Sequence, residues 1–166
     1  LKAPVDTTLI LNSPKNYSIP SNGIIFVEDH VWVDGQINGS RVTIAVARFP
    51  ESPGQSKNII INNNLLYTKY DGTDVIGLIA QNDVSTGLSS LDVLRIDAAL
   101  IAQSGRVGRN YYSNKCGSEY MRDTLTLYGM IGTHDRYGFA YTDGTGYQNR
   151  NIVYDSNLLY APPPSF

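Results

Sequence analysis

The chain has 166 residues, enough for one domain, and 42% of them are hydrophobic, so a sizeable core can be buried. Charged residues make up only 17%, the net charge is −2 and no run of Lys or Arg occurs, which excludes a nucleic-acid backbone as partner. Cys116 is the single cysteine, which excludes an intrachain disulfide and a cysteine-based metal site.

Short strands separated by turns are predicted along most of the chain. Residues 1–22 are expected to form an N-terminal lead-in or cap, residues 23–142 a β-rich core, and residues 143–166 a C-terminal cap with a Pro-rich tail, all within one domain. Helical periodicity is nearly absent. The predicted strands are 24–27, 31–34, 42–46, 59–61, 75–80, 94–96, 100–102, 125–128 and 139–142.

A weak internal repeat is the most informative pattern. Four seven-residue stretches, which begin at Val31, Ile59, Leu94 and Leu125, align without gaps at spacings of 28, 35 and 31 residues. Their fifth position is small or tolerates a positive φ, and their first, third and seventh positions are large and aliphatic. Those apolar positions are predicted to form inward-facing core stacks: Val31, Ile59, Leu94 and Leu125; Val33, Ile61, Ile96 and Leu127; Ile37, Leu65, Leu100 and Ile131.

The repeat predicts a right-handed parallel β-helix of about five or six coils, with corner loops and capped ends. Equivalent residues of successive coils would stack at about 4.8 Å, the spacing of hydrogen-bonded strands. Loops at 49–57, 68–73 and 111–122 would account for the uneven spacing. An antiparallel sandwich is the alternative fold, although it would not explain one pattern that recurs four times.

The sequence contains no motif that predicts a catalytic residue, a metal site or a cofactor. His30 and His134 are the only histidines, and both fall in polar turns. The repeat places Asp34, Asn62, Asp97 and Tyr128 in one column, with Asn62 beside Asp97. A β-helix glycosidase would need two suitably spaced acids, but only one of the adjacent residues Asn62 and Asp97 is an acid. We therefore expect this column to be a polar ladder that binds turn amides.

The third predicted loop carries three tyrosines that are candidates for contact with a ligand or partner. Tyrosine offers a large rigid ring and one hydroxyl, which suits it to interfaces. Packing of the loop on itself is the alternative. The candidates are Tyr111, Tyr112 and Tyr120.

Several segments resemble the C-terminal β-helix domain of PilX-like, type IV pilus-associated bacterial surface proteins. The resemblance lies in the Val-x-Val-x-Gly-x-Ile-x-Gly pattern of residues 31–39, the strands around it, and segments 74–84, 96–103, 125–129 and 154–164. A more distant similarity is to bactofilins, which are polymer-forming β-helices. The resemblance implies a preceding prepilin-like helix, outside this chain, as the only membrane attachment, and it supplies no catalytic residue.

These observations predict a noncatalytic structural or adhesive domain of a pilus- or envelope-associated bacterial protein. It would be extracellular, at the cell surface or periplasmic, with other pilus or envelope proteins and surface glycans as partners. Two alternatives stay open. One is a carbohydrate-active β-helix, a polysaccharide lyase or hydrolase, and the other is a filament subunit that associates end to end.

Overall fold

The computed structural model describes residues 15–166, so most of the predicted lead-in, residues 1–22, lies outside the described residues. The described chain is all-β with parallel sheets, and its helices are short 3-10 turns at Asn114–Cys116, Ser118–Tyr120 and Ser156–Leu159. No helix in residues 15–166 has the length and apolar character required to span a bilayer. The strands are β1 (Ile24–Val27), β2 (Val31–Trp32), β3 (Gly35–Ile37), β4 (Arg41–Val46), β5 (Ile59–Ile60), β6 (Leu65–Tyr67), β7 (Val75–Ala80), β8 (Val84–Thr86), β9 (Val93–Ala102), β10 (Val107–Arg109), β11 (Met121–Thr133) and β12 (Gly146–Tyr154).

The strands form two sheets in which every pair of neighbouring strands is parallel. The eight-stranded sheet has the order β1-β4-β7-β9-β11-β12, and β3 pairs with β6, which pairs with β9. The four-stranded sheet has the order β10-β8-β5-β2. The strands of each sheet therefore follow one another in chain order, and the chain alternates between the two sheets as it advances.

Aliphatic side chains line up across the strands and form the core. In the four-stranded sheet, Val31 pairs with Ile59, Ile59 with Val84, and Val84 with Val107. A longer row crosses the other sheet. Its members are Ile25, Ile44, Leu78, Leu100 and Ile131. Both rows belong to one hydrophobic cluster, so a single core lies between the sheets.

The predicted core residues are in the core, but the predicted stacks are only partly correct. Nine of the twelve are buried, and the other three, Val31, Ile37 and Ile131, pack against the same cluster. Strand pairing joins Val31 to Ile59 and Leu94 to Leu125 as expected. However, Ile59 pairs with Val84 rather than with Leu94.

The second column breaks at the same place, between the second and third repeat units, and the third column already breaks between the first and second units. Ile96 pairs with Leu127 as predicted, but its neighbour on the other side is Leu65 rather than Ile61. Ile37 pairs with Tyr67 rather than with Leu65. The break between the second and third units occurs because the first two units begin in the four-stranded sheet, whereas the last two lie in the eight-stranded sheet. Ile37 is displaced because β3 and β6 pair with Gly35 opposite Leu65, two residues away from the aligned register. Strands of both sheets have the same period-2 apolar pattern, so units from different sheets align with one another in the sequence.

Three segments differ from the predicted elements. Residues 94–96 and 100–102 belong to one continuous strand, β9. Residues 139–142 form no strand and contribute only an isolated bridge between Ala140 and Gly146. The predicted cap at 143–166 contains β12, which is the edge strand of the eight-stranded sheet. The tail that follows β12 does not cover the end of that sheet.

That tail, residues 155–166, lies on the face of the eight-stranded sheet, and we call it the strap. Leu158 packs in a cluster with Val75 and Ala99, and a Cβ at Gly77 would meet the ring of Phe166. Further along, the strap accepts hydrogen bonds from β4: Arg41 donates to the carbonyl of Pro162, and the Thr43 hydroxyl donates to that of Pro164 at 2.5 Å. The strap thus crosses several strands and ties the sheet together.

Candidate functional site

Where the sheets end, at β10 and β12, the surface has a groove rich in arginine and tyrosine. It consists of two adjoining depressions of about 320 and 520 Å³ that share five lining residues: Tyr137, Gly138, Ala140, Tyr141 and Thr142. We call it the Arg–Tyr groove and define it by six lining residues: Arg106, Arg136, Tyr137, Tyr141, Arg150 and Ile152.

The segment between the two depressions is held in place by its backbone. Gly138 bridges to Gly108 of β10, donates to the carbonyl of Val107 at 3.1 Å and accepts from the amide of Arg109 at 2.9 Å. Phe139 is buried in the core. Because both backbone and core contacts fix this segment, the side chains beside them are presented from a rigid base.

Tyr141 is held by a small hydrogen-bond network. Its hydroxyl donates to the carbonyl of Arg109 at 2.8 Å and accepts from the Arg106 guanidinium at 2.9 Å. Arg106 also donates to the same carbonyl, at 2.7 Å. The ring of Tyr111 packs edge-on against Tyr141, with centroids 5.1 Å apart and an interplanar angle of 85°.

Tyr111 is 54% exposed and hydrogen-bonds to Asp143 at the margin of the groove. That bond to a carboxylate raises the pKa of the Tyr111 phenol. Asp143 also accepts from the amide of Thr145 at 3.0 Å, and this bond is the main reason why its pKa lies below the usual range.

The groove carries positive charge. Arg136 is exposed and makes no hydrogen bond or ion pair with the rest of residues 15–166. Arg150 donates to the carbonyls of Tyr147 and Gln148. Among the described residues that line the groove there is no Asp or Glu. Asp135, next to Arg136 in the chain, is paired instead with His134 at 3.0 Å.

The three predicted contact tyrosines have different environments. Tyr111 flanks the groove as described above. Tyr112 is only 5% exposed, and its ring centroid lies 4.9 Å from the guanidinium carbon of buried Arg109. The prediction that Tyr112 contacts a partner is therefore wrong, because its ring is used inside the protein. Tyr120 ends a 3-10 helix and is half-buried, and its role as a contact stays a prediction.

Sequence reasoning missed most of the groove. The sequence predicts a strand at 139–142 and no binding surface around it. The available signal was the density of Tyr and Arg between Arg136 and Arg150, where Tyr137, Tyr141 and Tyr147 also occur. What the sequence could not indicate is that β10 and β12 lie on either side of that segment.

The predicted polar column forms only at its last step, where Tyr128 pairs with Asp97. Asp34 accepts a hydrogen bond from the side chain of Asn63 at 2.8 Å, whereas Asn62 accepts from the amide of Gly87 at 2.8 Å. Asp97 lies in register with Tyr128, not beside Asn62. The expected contact between Asn62 and Asp97 is therefore wrong, for the same reason that the aliphatic columns break.

Asp97 is instead the centre of a buried polar cluster. Its carboxylate accepts from the amide of Tyr67 at 3.1 Å, from the hydroxyl of Tyr70 at 2.7 Å and from the Arg95 guanidinium at 2.9 Å. These three bonds occupy both of its oxygens and join β6 to β9. Burial raises the pKa of Tyr67 well above its usual value, so this phenol stays neutral.

A second buried acid, Asp155, begins the strap. It accepts from the hydroxyl of Tyr128 at 3.0 Å and from the amide and side chain of Asn157 at 3.0 and 2.9 Å. Like Asp97, it is almost completely buried. Both acids are thus engaged in structural hydrogen bonds rather than facing a cleft where a substrate could sit.

The remaining reactive side chains are dispersed. His30 accepts from the amide of Asn58 through Nδ1 at 3.0 Å, and Cys116 is a half-buried free thiol at the end of a 3-10 helix. In the part of the chain that the structure describes, no three His, Cys, Asp or Glu side chains gather where they could hold a metal ion.

Comparison of the chain with protein-family models gives no match, and comparisons with curated proteins and with solved structures give none either. The resemblance to pilus-associated domains therefore stays an expectation. Function has to be argued from the geometry of the sheets and of the Arg–Tyr groove.

Proposed function

We propose that this chain is a right-handed parallel β-helix that serves as a noncatalytic structural or adhesive domain, exposed on a bacterial pilus or envelope protein. The strand order carries the proposal. In both sheets the strands follow chain order and pair in parallel, and each return to the smaller sheet adds the next strand beside the last, in the order β2, β5, β8 and β10. Right-handed connection is the strong preference of parallel crossovers.

Rigidity supports a structural role. β9 and β11 pair over ten consecutive residues, from Val93 with Thr124 to Ala102 with Thr133. A continuous aliphatic core fills the space between the sheets, and the strap crosses their larger face. A domain built in this way changes shape little and can hold a surface feature in a fixed orientation.

The Arg–Tyr groove supports the adhesive part of the proposal. Tyrosine and arginine are the residues most enriched where proteins contact their partners. Here they are exposed beside a fixed backbone, at the end of the sheets rather than within them. Partners would be other pilus or envelope proteins, or glycans on a neighbouring surface.

Cross-linking tests the stacked arrangement. Val93, Thr124 and Asn149 occupy equivalent positions on three adjacent strands. In a chain with Cys116 replaced by Ser, the pairs Val93→Cys/Thr124→Cys and Thr124→Cys/Asn149→Cys should form disulfides, because neighbouring strands lie about 4.8 Å apart. The control pair Val93→Cys/Asn149→Cys, about 9.6 Å apart, should not. Preferential bonding of the control pair would exclude the proposed stacking.

Surface labelling tests the location. Antibodies raised against the chain should label intact producing cells and should detect the protein in filaments sheared from those cells. Labelling that requires permeabilised cells would refute exposure.

A turnover screen on acidic and neutral polysaccharides tests the proposal that the domain is noncatalytic. Reproducible cleavage would replace that proposal with the lyase or hydrolase alternative.

A second candidate, end-to-end self-association, is favoured by the edge of β12. This nine-residue strand pairs only with β11 among the described strands, and Ile152, Val153 and Tyr154 are exposed along it. Long exposed edges with apolar residues are templates for pairing with another chain. Sedimentation velocity at rising concentration should then show oligomers that Ile152→Lys abolishes, and a monomer at all concentrations would rule this out.

A further inference from the structure

We infer that the Arg–Tyr groove binds an acidic saccharide, a carbohydrate chain that carries carboxylate groups. The inference rests on the proposed adhesive role and names the class of ligand for it. It follows from the juxtaposition of three arginines, one exposed and one half-buried phenol ring, and a lining without acids.

Charge selects an anionic ligand. Arg106, Arg136 and Arg150 line the two depressions, and neither Asp135 nor Asp143 is among the lining residues. Asp135 contacts His134, and Asp143 is hydrogen-bonded to Tyr111 and Thr145, so the three guanidinium groups outnumber the two carboxylates at the margin of the groove. The guanidinium group is planar and matches a carboxylate with two parallel hydrogen bonds. Arg136, which has no partner within residues 15–166, is the side chain most available for such a pair.

The phenol rings select a sugar. Tyr137 is 51% exposed and lines both depressions, and Tyr141 is fixed between Arg106 and the carbonyl of Arg109. A pyranose ring has an apolar C–H face that packs on an aromatic ring and hydroxyls at its rim that bond to phenols and carbonyls. Because Tyr141 is already held, little conformational entropy is lost when a ligand binds against it.

The shape of the groove favours a saccharide over a protein surface. The two depressions, about 320 and 520 Å³, lie on either side of residues 137–142, so an extended chain of several sugar units could cross both. Protein partners usually require a central pocket for an apolar anchor. Here the aliphatic lining is limited to Ala140 and Ile152, and Phe139 is buried in the core.

Calorimetry with defined oligosaccharides tests the inference. The probes are hexamers of galacturonate, mannuronate and hyaluronan, each compared with its fully methyl-esterified form, which has the same sugars without the charge. At least one acid form should bind, and its ester should bind at least about tenfold more weakly. Arg136→Gln and Tyr137→Ala should each weaken binding by about tenfold or more.

Matched controls keep the result interpretable. Arg48→Gln and Tyr160→Ala change exposed residues elsewhere and should leave affinity unchanged. Far-UV circular dichroism of every variant checks its fold. The inference is overturned if no acidic hexamer binds, if the esters bind equally well, if the Arg48 variant loses as much affinity as the Arg136 variant, or if a hexaglutamate peptide binds equally tightly. None of these outcomes alters the surface-labelling result, so failure of the ligand class and failure of the proposed function can be told apart.

Discussion

Replacement of Gly129 by Ala is the sharpest test of the pairing between β9 and β11. Gly129 has φ +153°, and a Cβ at this position would lie 2.5 Å from the carbonyl carbon of Ala98 and even closer to its oxygen. The obstacle is backbone of the neighbouring strand, which cannot rotate away as a side chain can. The two strands would have to separate around their paired residues, Gly129 and Ala98.

The expected cost follows from what the separation breaks. Loss of about three ladder hydrogen bonds costs about 3 kcal/mol, at roughly 1 kcal/mol each. Forcing a side chain into the backbone conformation of Gly129 adds about 1–2 kcal/mol. The sum, at least about 4 kcal/mol, is a large part of the 5–15 kcal/mol by which a typical domain is stable. Gly129→Ala should therefore be marginally folded or unfolded at room temperature.

The same strand supplies the control. At Gly132, the nearest atom to a Cβ would be a side-chain carbon of Ile101, at 3.4 Å, which is an ordinary contact distance, so Gly132→Ala should change stability by less than about 1 kcal/mol. Urea unfolding, followed by the fluorescence of the single tryptophan, Trp32, and by circular dichroism, gives both values. Equal midpoints for the two variants would refute the register that places Gly129 over Ala98.

Three further predictions concern the strap and two buried side chains. Gly77→Ala would crowd the ring of Phe166, so the strap should detach from the sheet. Proteolysis of residues 155–166 should become faster and the free energy of unfolding should fall by about 1–3 kcal/mol. Unchanged proteolysis would contradict the docking of the strap on the sheet. Asp97→Asn removes the charge from three buried hydrogen bonds and should cost about 2–4 kcal/mol in urea unfolding, whereas a neutral effect would argue against the polar cluster. Burial lowers the pKa of His30, whose neutral Nδ1 accepts a hydrogen bond from the amide of Asn58. The stabilisation that neutral His30 contributes is therefore fully present above the unfolded-state pKa of the imidazole, about 6.5, and is lost as the pH falls. His30→Gln should flatten that pH dependence between about pH 7 and 5, and an unchanged slope would exclude His30 as its source.

The strands that the sequence predicts best are apolar runs with turn residues on both sides. β1 and β7 have the predicted bounds, 24–27 and 75–80, because Gly, Asp and Asn flank each run. The interior of β9 was harder to predict. Asp97, Ala98 and Ala99 interrupt its aliphatic run, yet the strand continues because Asp97 finds hydrogen-bond partners and the alanines fit close to neighbouring strands.

Sheet membership could not be predicted from the repeat. A strand in either sheet alternates inward and outward residues with period two, so Ile59 and Leu94 carry the same pattern although they lie in different sheets. The small residue at the fifth repeat position was a better guide. Gly35 and Gly129 both have positive φ, as that position predicts. Local backbone demands are thus visible in the sequence, whereas the choice of neighbouring strand depends on loop lengths.

The place of the candidate site follows from the way in which the repeat ends. After β11 the chain adds β12 to the larger sheet, but it adds no further strand to the smaller one, where Gly138 alone bridges to β10. The segment that closes this side is therefore irregular, and its side chains are not forced to alternate between core and solvent. That freedom allows Arg136, Tyr137 and Tyr141 to line one groove while Phe139 still enters the core. Within the paired strands every second side chain points towards the core, where a charge needs buried partners such as those of Asp97, so an exposed cluster of neighbouring residues forms more readily at the end of this fold or on its loops.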